Sequence, residues 1–193
     1  MKIIVITGPP YSGKGTQCEL LESKLGYTHV STGARCRQEK EQGTDIGLEI
    51  TRYEEEGSLV PDAIMKTLFK SIIAENKSTD GIILDGYPRT VNQAEDLAQL
   101  LKEADLKVSH AIDIVVPNKE LLARAKERAK TSDRKDDADP ETHVKRIGVY
   151  QKETLPAVKA LSNLVEVISI NGIGNKEIIF NRISASISDR HQL

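Results

Sequence analysis

Gly8, Gly13 and Lys14 stand in the stretch GPPYSGKGTQ, Gly8 to Gln17, directly after the short apolar run that opens the chain. Their spacing follows the phosphate-loop pattern G-x-x-x-x-G-K-[ST], except that Gly15 takes the Ser/Thr place and Thr16 comes one position later. Such a loop, set between a strand and a helix, turns its backbone N–H groups inward around an anion. The helix that follows presents its positive N-terminal end. Lys14 would reach the β- and γ-phosphates of a nucleotide, with Ser12, Gly13, Gly15 and Thr16 around the phosphate chain. Tyr11 is a bulky residue in a tight loop. It is expected to avoid the left-handed backbone, which costs a non-glycine residue about 1–2 kcal/mol, and to project its ring over the phosphates.

A second group of side chains suits phosphate chemistry: Arg37, Arg89, Arg124, Arg128, Arg134 and Arg146. The planar guanidinium fork binds phosphate bidentately. Arg124 and Arg128 are spaced i, i+4 and share one helical face. Taken alone, the run from Arg124 to Arg146 also reads as a salt-bridged helix surface, and Arg35, Lys126 and Lys130 read that way. Asp85 and Arg89 follow an apolar strand at its carboxyl end, where ligand groups collect in parallel sheets. Asp85 could also be a helix cap.

These residues need a scaffold, and the hydrophobic pattern supplies one. Strands are expected at 2–7, 27–31, 81–85, 110–116 and 164–170. Helices are expected at 14–25, 34–42, 45–56, 61–76, 90–104, 118–130, 140–162 and 175–188. Gly26 and Gly57 fall where helices end, and Pro61 where one begins. Strand–helix alternation with nearly continuous apolar strands implies an α/β fold: a doubly wound, five-stranded parallel sheet flanked by helices. Two segments leave that rhythm: residues 32–60, which insert two helices, and the polar, charge-dense residues 129–139.

The 193 residues are 38% apolar and 29% charged, with net charge −2, which favours one domain and no nucleic-acid or membrane surface. The opening run is too short for a signal-peptide core, so the cytoplasm is the expected compartment. Cys18 and Cys36 read as ordinary thiols. His29, His110, His143 and His191 form no pair at ligand spacing and read as structural or exposed.

GPPxSGKGTQ resembles the phosphate loop of adenylate kinases and their nucleoside-monophosphate kinase relatives, in which GKGT is the usual form. VSTGARCR (30–37) resembles the family's STGDLLR segment, and GSLVPD (57–62) its monophosphate-site loop. LDGYPRTVNQAE (84–95) resembles its DG[FY]PR signature. RAKERAKTSDRKDD (124–137) and VKRIGVY (144–150) resemble R…RGETSGRxDD and KKRLxxY. The matches run in order from residue 3 to about residue 175.

The resemblance implies Mg²⁺-dependent transfer of the ATP γ-phosphoryl group to AMP, giving two ADP, by a monomer whose partners are ATP, AMP and ADP. It places Tyr11 to Thr16, Arg128 and Gly174 at ATP. It places Thr32, Arg37, Ser58, Leu59, Val60, Gly86, Tyr87, Pro88, Arg89, Gln93, Arg134 and Arg146 at AMP. Lys14, Arg89, Arg124, Arg128, Arg134 and Arg146 would neutralise the transferring group. Asp85 would organise Mg²⁺ through water, with no metal ligated directly. The monophosphate-binding insertion would span about 31–60 and a short lid, without zinc, about 127–138. Thr32 and Thr90 favour AMP over uridylate and cytidylate, and Gln93 would read the adenine edge.

Some positions depart from the family pattern. Ala34 stands for its aspartate, Arg35 for an apolar residue, and Asp133 for the lid glycine. A kinase for UMP, CMP or another monophosphate and a nucleotide-binding homologue with impaired catalysis are the alternatives. NKEL (118–121) resembles a GTPase base-reading motif but lacks its aspartate at Leu121.

Overall fold

β1 (Lys2–Thr7) is a run of β-branched residues whose successive side chains enter two different cores. Ile3 and Val5 pack into one, Ile4 and Ile6 into the other, and all four are buried. A strand apolar on both faces needs helices on both sides, which is why the sheet is sandwiched. The computed structural model describes residues 1–55, 58–131 and 139–188. Gly57, Asp133, Arg134 and His191 lie outside the described residues.

After β1 come α1 (Lys14–Leu25), β2 (Thr28–Ser31), α2 (Thr32–Glu41), α3 (Asp45–Glu55), α4 (Asp62–Glu75), β3 (Gly81–Asp85) and α5 (Val91–Glu103). β4 (Val108–Val115), α6 (Asn118–Ala129), α7 (Pro140–Val149), α8 (Leu155–Leu161), β5 (Val167–Asn171) and α9 (Lys176–Ser188) complete the order. The five strands form one parallel sheet in the order β2-β3-β1-β4-β5. The chain leaves β1 toward β2 and leaves β3 toward β4, on the other side. β1 and β3 are neighbours, so a crevice opens beyond their carboxyl ends. The register aligns Ile6 and Ser31 with Asp85, and Thr7 with Asp113, along the rim of that crevice.

Several expected boundaries shift. α2 starts at Thr32, two residues early, because Ser31 Oγ accepts the backbone N–H of Ala34 and caps the helix. Pro61 precedes α4, which begins at Asp62. β5 begins at Val167, since residues 162–165 close the end of α8 with turn hydrogen bonds, Leu164 N–H to Leu161 O among them. The single helix expected at 140–162 is divided by a π-helical turn, Tyr150–Thr154. Pro156, in the first turn of α8, has no N–H for the ladder, and the widened turn precedes it.

Candidate active site

The loop after β1 is shaped by close backbone approach. Gly8 has φ 144°, and a Cβ there would lie 2.7 Å from the carbonyl oxygen of Ile114 on β4. Only glycine lets the chain turn against its neighbouring strand at that point. Gly13 (φ 88°) opens α1. Ser12 Oγ is buried with no hydrogen-bond partner among the described residues, an unusual state for a buried hydroxyl. Lys14 Nζ donates to the carbonyls of Gly8 (2.8 Å) and Pro9 (2.9 Å), so its ammonium closes the loop on itself.

A cavity of about 1000 Å³ spreads from this loop across the strand ends. Tyr11, Gly13, Lys14, Gly15 and Thr16 line it on one side; Arg37, Ser58 and Leu59 on another; and Asp85, Gly86, Pro88 and Arg89 at its floor. Arg128 from α6 and Arg146 from α7 also face it. Among the described residues, cationic side chains from five separate elements thus border one cavity. Lys40, Glu41, Asp139, Thr142, Tyr150 and Thr154 line it as well and were missed in the sequence. For Asp139 a signal was present in the Asp-Pro step, since its carboxylate caps α7 by accepting the N–H of Glu141 and the hydroxyl of Thr142.

Charges along the floor are coupled. Burial disfavours the Asp85 carboxylate, but the hydrogen bond with His29 (3.4 Å) and the Lys14 ammonium outweigh it and hold its pKa below the usual range. The same hydrogen bond, against the effect of burial, raises the pKa of His29. Burial lowers the pKa of Lys14, with Asp85 opposing. Asp113, at the end of β4, goes the other way: burial raises its pKa, and neither the Tyr150 hydroxyl at 3.4 Å nor Lys14 compensates. A raised carboxylate pKa means that the folded state holds the proton more tightly. Its stabilising contribution is complete below the unfolded value of about 3.9 and is lost as pH rises through the raised folded value. Asp113→Asn is therefore expected to unfold at higher denaturant than the wild type at neutral pH, with the advantage shrinking toward acid. Denaturation midpoints of both proteins measured across pH test this, and a pH-independent difference refutes it.

The sequence profile of adenylate kinases matches residues 6–165 of this chain. The chain belongs to the adenylate kinase family. Among the relatives, the adenylate kinase of Bacteroides thetaiotaomicron is 40% identical over 184 residues, covering 95% of this chain and 97% of that protein. The adenylate kinase of Leptospira biflexa is 37% identical over 187 residues, 97% of this chain and 100% of its own length. That of Thermobifida fusca is 35% identical over 187 residues, 97% and 98% of the two chains.

Other residues expected at the nucleotides in an adenylate kinase sit away from the cavity lining. Arg124 donates to Glu120 Oε1 (2.8 Å), to the carbonyl of Gly172 (2.9 Å) and to that of Ser12 (3.4 Å). Its fork ties the phosphate loop to the turn after β5. Tyr87 is fully buried and stacks on Phe69, ring centroids 4.9 Å apart, so only its backbone can meet a ligand. Gln93 is buried, with Oε1 accepting the N–H of Arg89 and Nε2 donating to Asp62, both at 2.8 Å. Thr32 Oγ1 donates to the carbonyls of Gly86 (3.0 Å) and Asp85 (3.2 Å). Val60 packs against the core, and Gly174 lies in the β5–α9 turn. Arg35 pairs with Glu39 and Glu75.

Tyr11 corrects the expectation most sharply. Its φ is 66°, the left-handed region, and the residue is 9% exposed. A 2.6 Å hydrogen bond joins its hydroxyl to Nδ1 of buried His143 on α7, and the two rings meet edge to face at 5.1 Å. Arg128 stands 5.8 Å from its centroid. The ring is a tie between the phosphate loop and α7. Burial of the aromatic body contributes about 1.5–3 kcal/mol and the hydrogen bond about 1 kcal/mol more. Together these exceed the backbone strain of about 1–2 kcal/mol. Tyr11→Gly is accordingly expected to lower stability by about 2 kcal/mol, although glycine relieves the backbone. Tyr11→Phe, which removes the hydroxyl from His143 Nδ1, is expected to cost about 1–2 kcal/mol. Chemical denaturation measures both, and a glycine variant as stable as the wild type would sink the tie.

Proposed function

We propose that the chain catalyses reversible transfer of the γ-phosphoryl group of ATP to AMP, giving two ADP. The observation that carries this reading is the convergence of Lys14, Arg37, Arg89, Arg128 and Arg146 on one cavity that begins at a phosphate loop. The attacking phosphate oxygen is already anionic, so the reaction needs no strong base. It needs neutralised charge, in-line alignment and exclusion of water. Lys14 exchanges its loop carbonyls for the β- and γ-phosphates. Arg128 and Arg146 approach from the α6–α7 side, Arg89 from the floor, and Arg37 from α2 toward AMP. The whole chain acts as one kinase unit, a monomer in the cytoplasm, with a monophosphate-binding insertion at about 31–60. A lid at about 127–138 includes Arg134, although most of it lies outside the described residues.

The donor set fits Mg²⁺ carried with the nucleotide. The hydroxyl-bearing Thr16 and Asp85, whose carboxylate stays ionised at the cavity floor, are hard oxygen groups. Mg²⁺ supplies charge neutralisation at the β- and γ-phosphates when bound. Asp85 and Thr16 would hold its water shell, and Ala34 offers no second carboxylate.

A coupled assay across AMP, UMP, CMP and GMP tests the reading. Preference for AMP is expected, and a clear preference for a pyrimidine nucleotide overturns it. If ATP and AMP bind without forming ADP, the chain is a binding module. Repeating the panel with Ala34→Asp shows what the missing carboxylate costs.

A further inference from the structure

Three ligand-bearing side chains from separate elements meet beside the phosphate loop: Cys18 on α1, His29 on β2 and Asp85 at the end of β3. Their sulfur, imidazole nitrogen and carboxylate oxygen all lie within 4.8 Å of one another. Nε2 of His29 is 3.4 Å from Asp85 Oδ2. Cys18 is fully buried, while the His29 and Asp85 side chains keep 14% and 12% exposure. The cluster is thus sealed behind α1 and open toward the cavity that Asp85 lines. The backbone N–H of His29 is held by Glu22 Oε1 at 2.8 Å, which pins β2 to α1 and fixes two of the three ligands relative to each other.

Sulfur, imidazole and carboxylate together are the donors of a borderline-soft divalent cation such as zinc, whose bonds are about 2.0–2.3 Å long. Tetrahedral ligation sets donors roughly 3.5 Å apart, so the widest gap here closes with side-chain movement of about an ångström. Glu19 and Glu22 face the cluster from α1, and Lys14 and Arg89 face Asp85 from the loop and the floor. The carboxylates balance the cations, and Lys14 is engaged with the loop carbonyls. Mg²⁺ prefers oxygen ligands in octahedral array and does not compete for the thiolate.

We propose that Cys18, His29 and Asp85 form a binding site for a zinc-like divalent cation, and that filling it takes Asp85 away from the Mg–nucleotide and switches the enzyme off. Binding converts the Cys18 thiol to a thiolate bonded to the metal, and the thiol proton leaves to solvent. His29 ligates through Nε2 as a neutral imidazole, Asp85 through one oxygen, and water completes the shell. The inhibitory half of the proposal rests on the kinase reading above; the metal site does not.

The test titrates Co²⁺ into the intact, nucleotide-free protein in excess Mg²⁺. A thiolate-to-cobalt charge-transfer band reaching its limit at one equivalent is expected, kept in Cys36→Ala and lost in Cys18→Ala. No band, or one that survives Cys18→Ala, overturns the site. Should Cys18→Ala fail to fold, His29→Gln carries the test, with Co²⁺ affinity expected to fall at least about 10–100-fold; unchanged affinity overturns the site. In turnover assays Zn²⁺ should inhibit the wild type and leave Cys18→Ala active. A cobalt band with Zn²⁺-insensitive turnover overturns the switch. A wild type with no phosphoryl transfer would refute the kinase reading, while the cobalt band still decides the metal site.

Discussion

Arg89→Ala is expected to lower turnover about 10³-fold, roughly 4 kcal/mol of lost transition-state stabilisation. Arg89 sits four residues beyond the end of β3, with Nε donating to the carbonyl of Gly86 at 2.7 Å. A Cβ on Gly86 would lie 2.9 Å from its Nη2, and one on Gly33 3.7 Å away. The guanidinium therefore lies between Gly86 at the floor and Gly33 at the start of α2, held at Nε by the Gly86 carbonyl. Two polyanions brought together repel, and the fork neutralises the shared oxygens where no solvent reorganises. Arg89→Lys keeps the charge and loses the bidentate geometry, so it should recover only part of the loss. The fold should survive, because the contact that shapes the turn uses the backbone N–H of Arg89 to Gln93. Steady-state kinetics for both substrates, with ATP binding measured separately, test this. Turnover within tenfold of the wild type would remove Arg89 from the site.

The second large effect is expected where no sequence motif points. Gly47 lies inside α3, where alanine would ordinarily gain about 1 kcal/mol of helix propensity. Here a Cβ would fall 2.1 Å from the carbonyl oxygen of Glu39, 2.4 Å from its carbonyl carbon and 2.7 Å from the N of Lys40. All three are backbone atoms of α2, so no side-chain rotation relieves the clash. Thr44 locks the same approach, accepting the N–H of Gly47 (3.0 Å) and donating to Glu39 Oε2 (2.8 Å). Gly47→Ala must pry α2 from α3, at a cost of about 2–3 kcal/mol. Because α2 carries Arg37 and Lys40 into the cavity, the KM for AMP should rise while ATP binding alone is unchanged. Thermal unfolding and calorimetric titration of each nucleotide measure this. A variant that matches the wild type in both would show that the helices can separate freely.

Much of the scaffold was legible because it is local. The β-branched run of β1, the Gly8–Thr16 spacing and the Asp85–Arg89 stretch at a strand end are short-range patterns, and hydrophobic period and turn chemistry act within a few residues. The parallel sheet, the order of its elements and the phosphate loop therefore followed from the chain alone. Contacts between distant segments did not. The pairing of β2 with β3 and the packing of α1 against both place Cys18, His29 and Asp85 together, although their spacing along the chain resembles no ligand motif. It sets Arg124 against the carbonyls of Ser12 and Gly172 instead of the open cavity. Gln93 turns inward because Asp62, from a different helix, accepts its amide. Tyr11 stays in a left-handed backbone because His143, far along the chain, holds its hydroxyl. A local pattern determines what a segment can become; only packing decides which of its polar groups meet a neighbour and which remain for a ligand, since burial leaves each donor and acceptor bound to whatever the fold brings beside it.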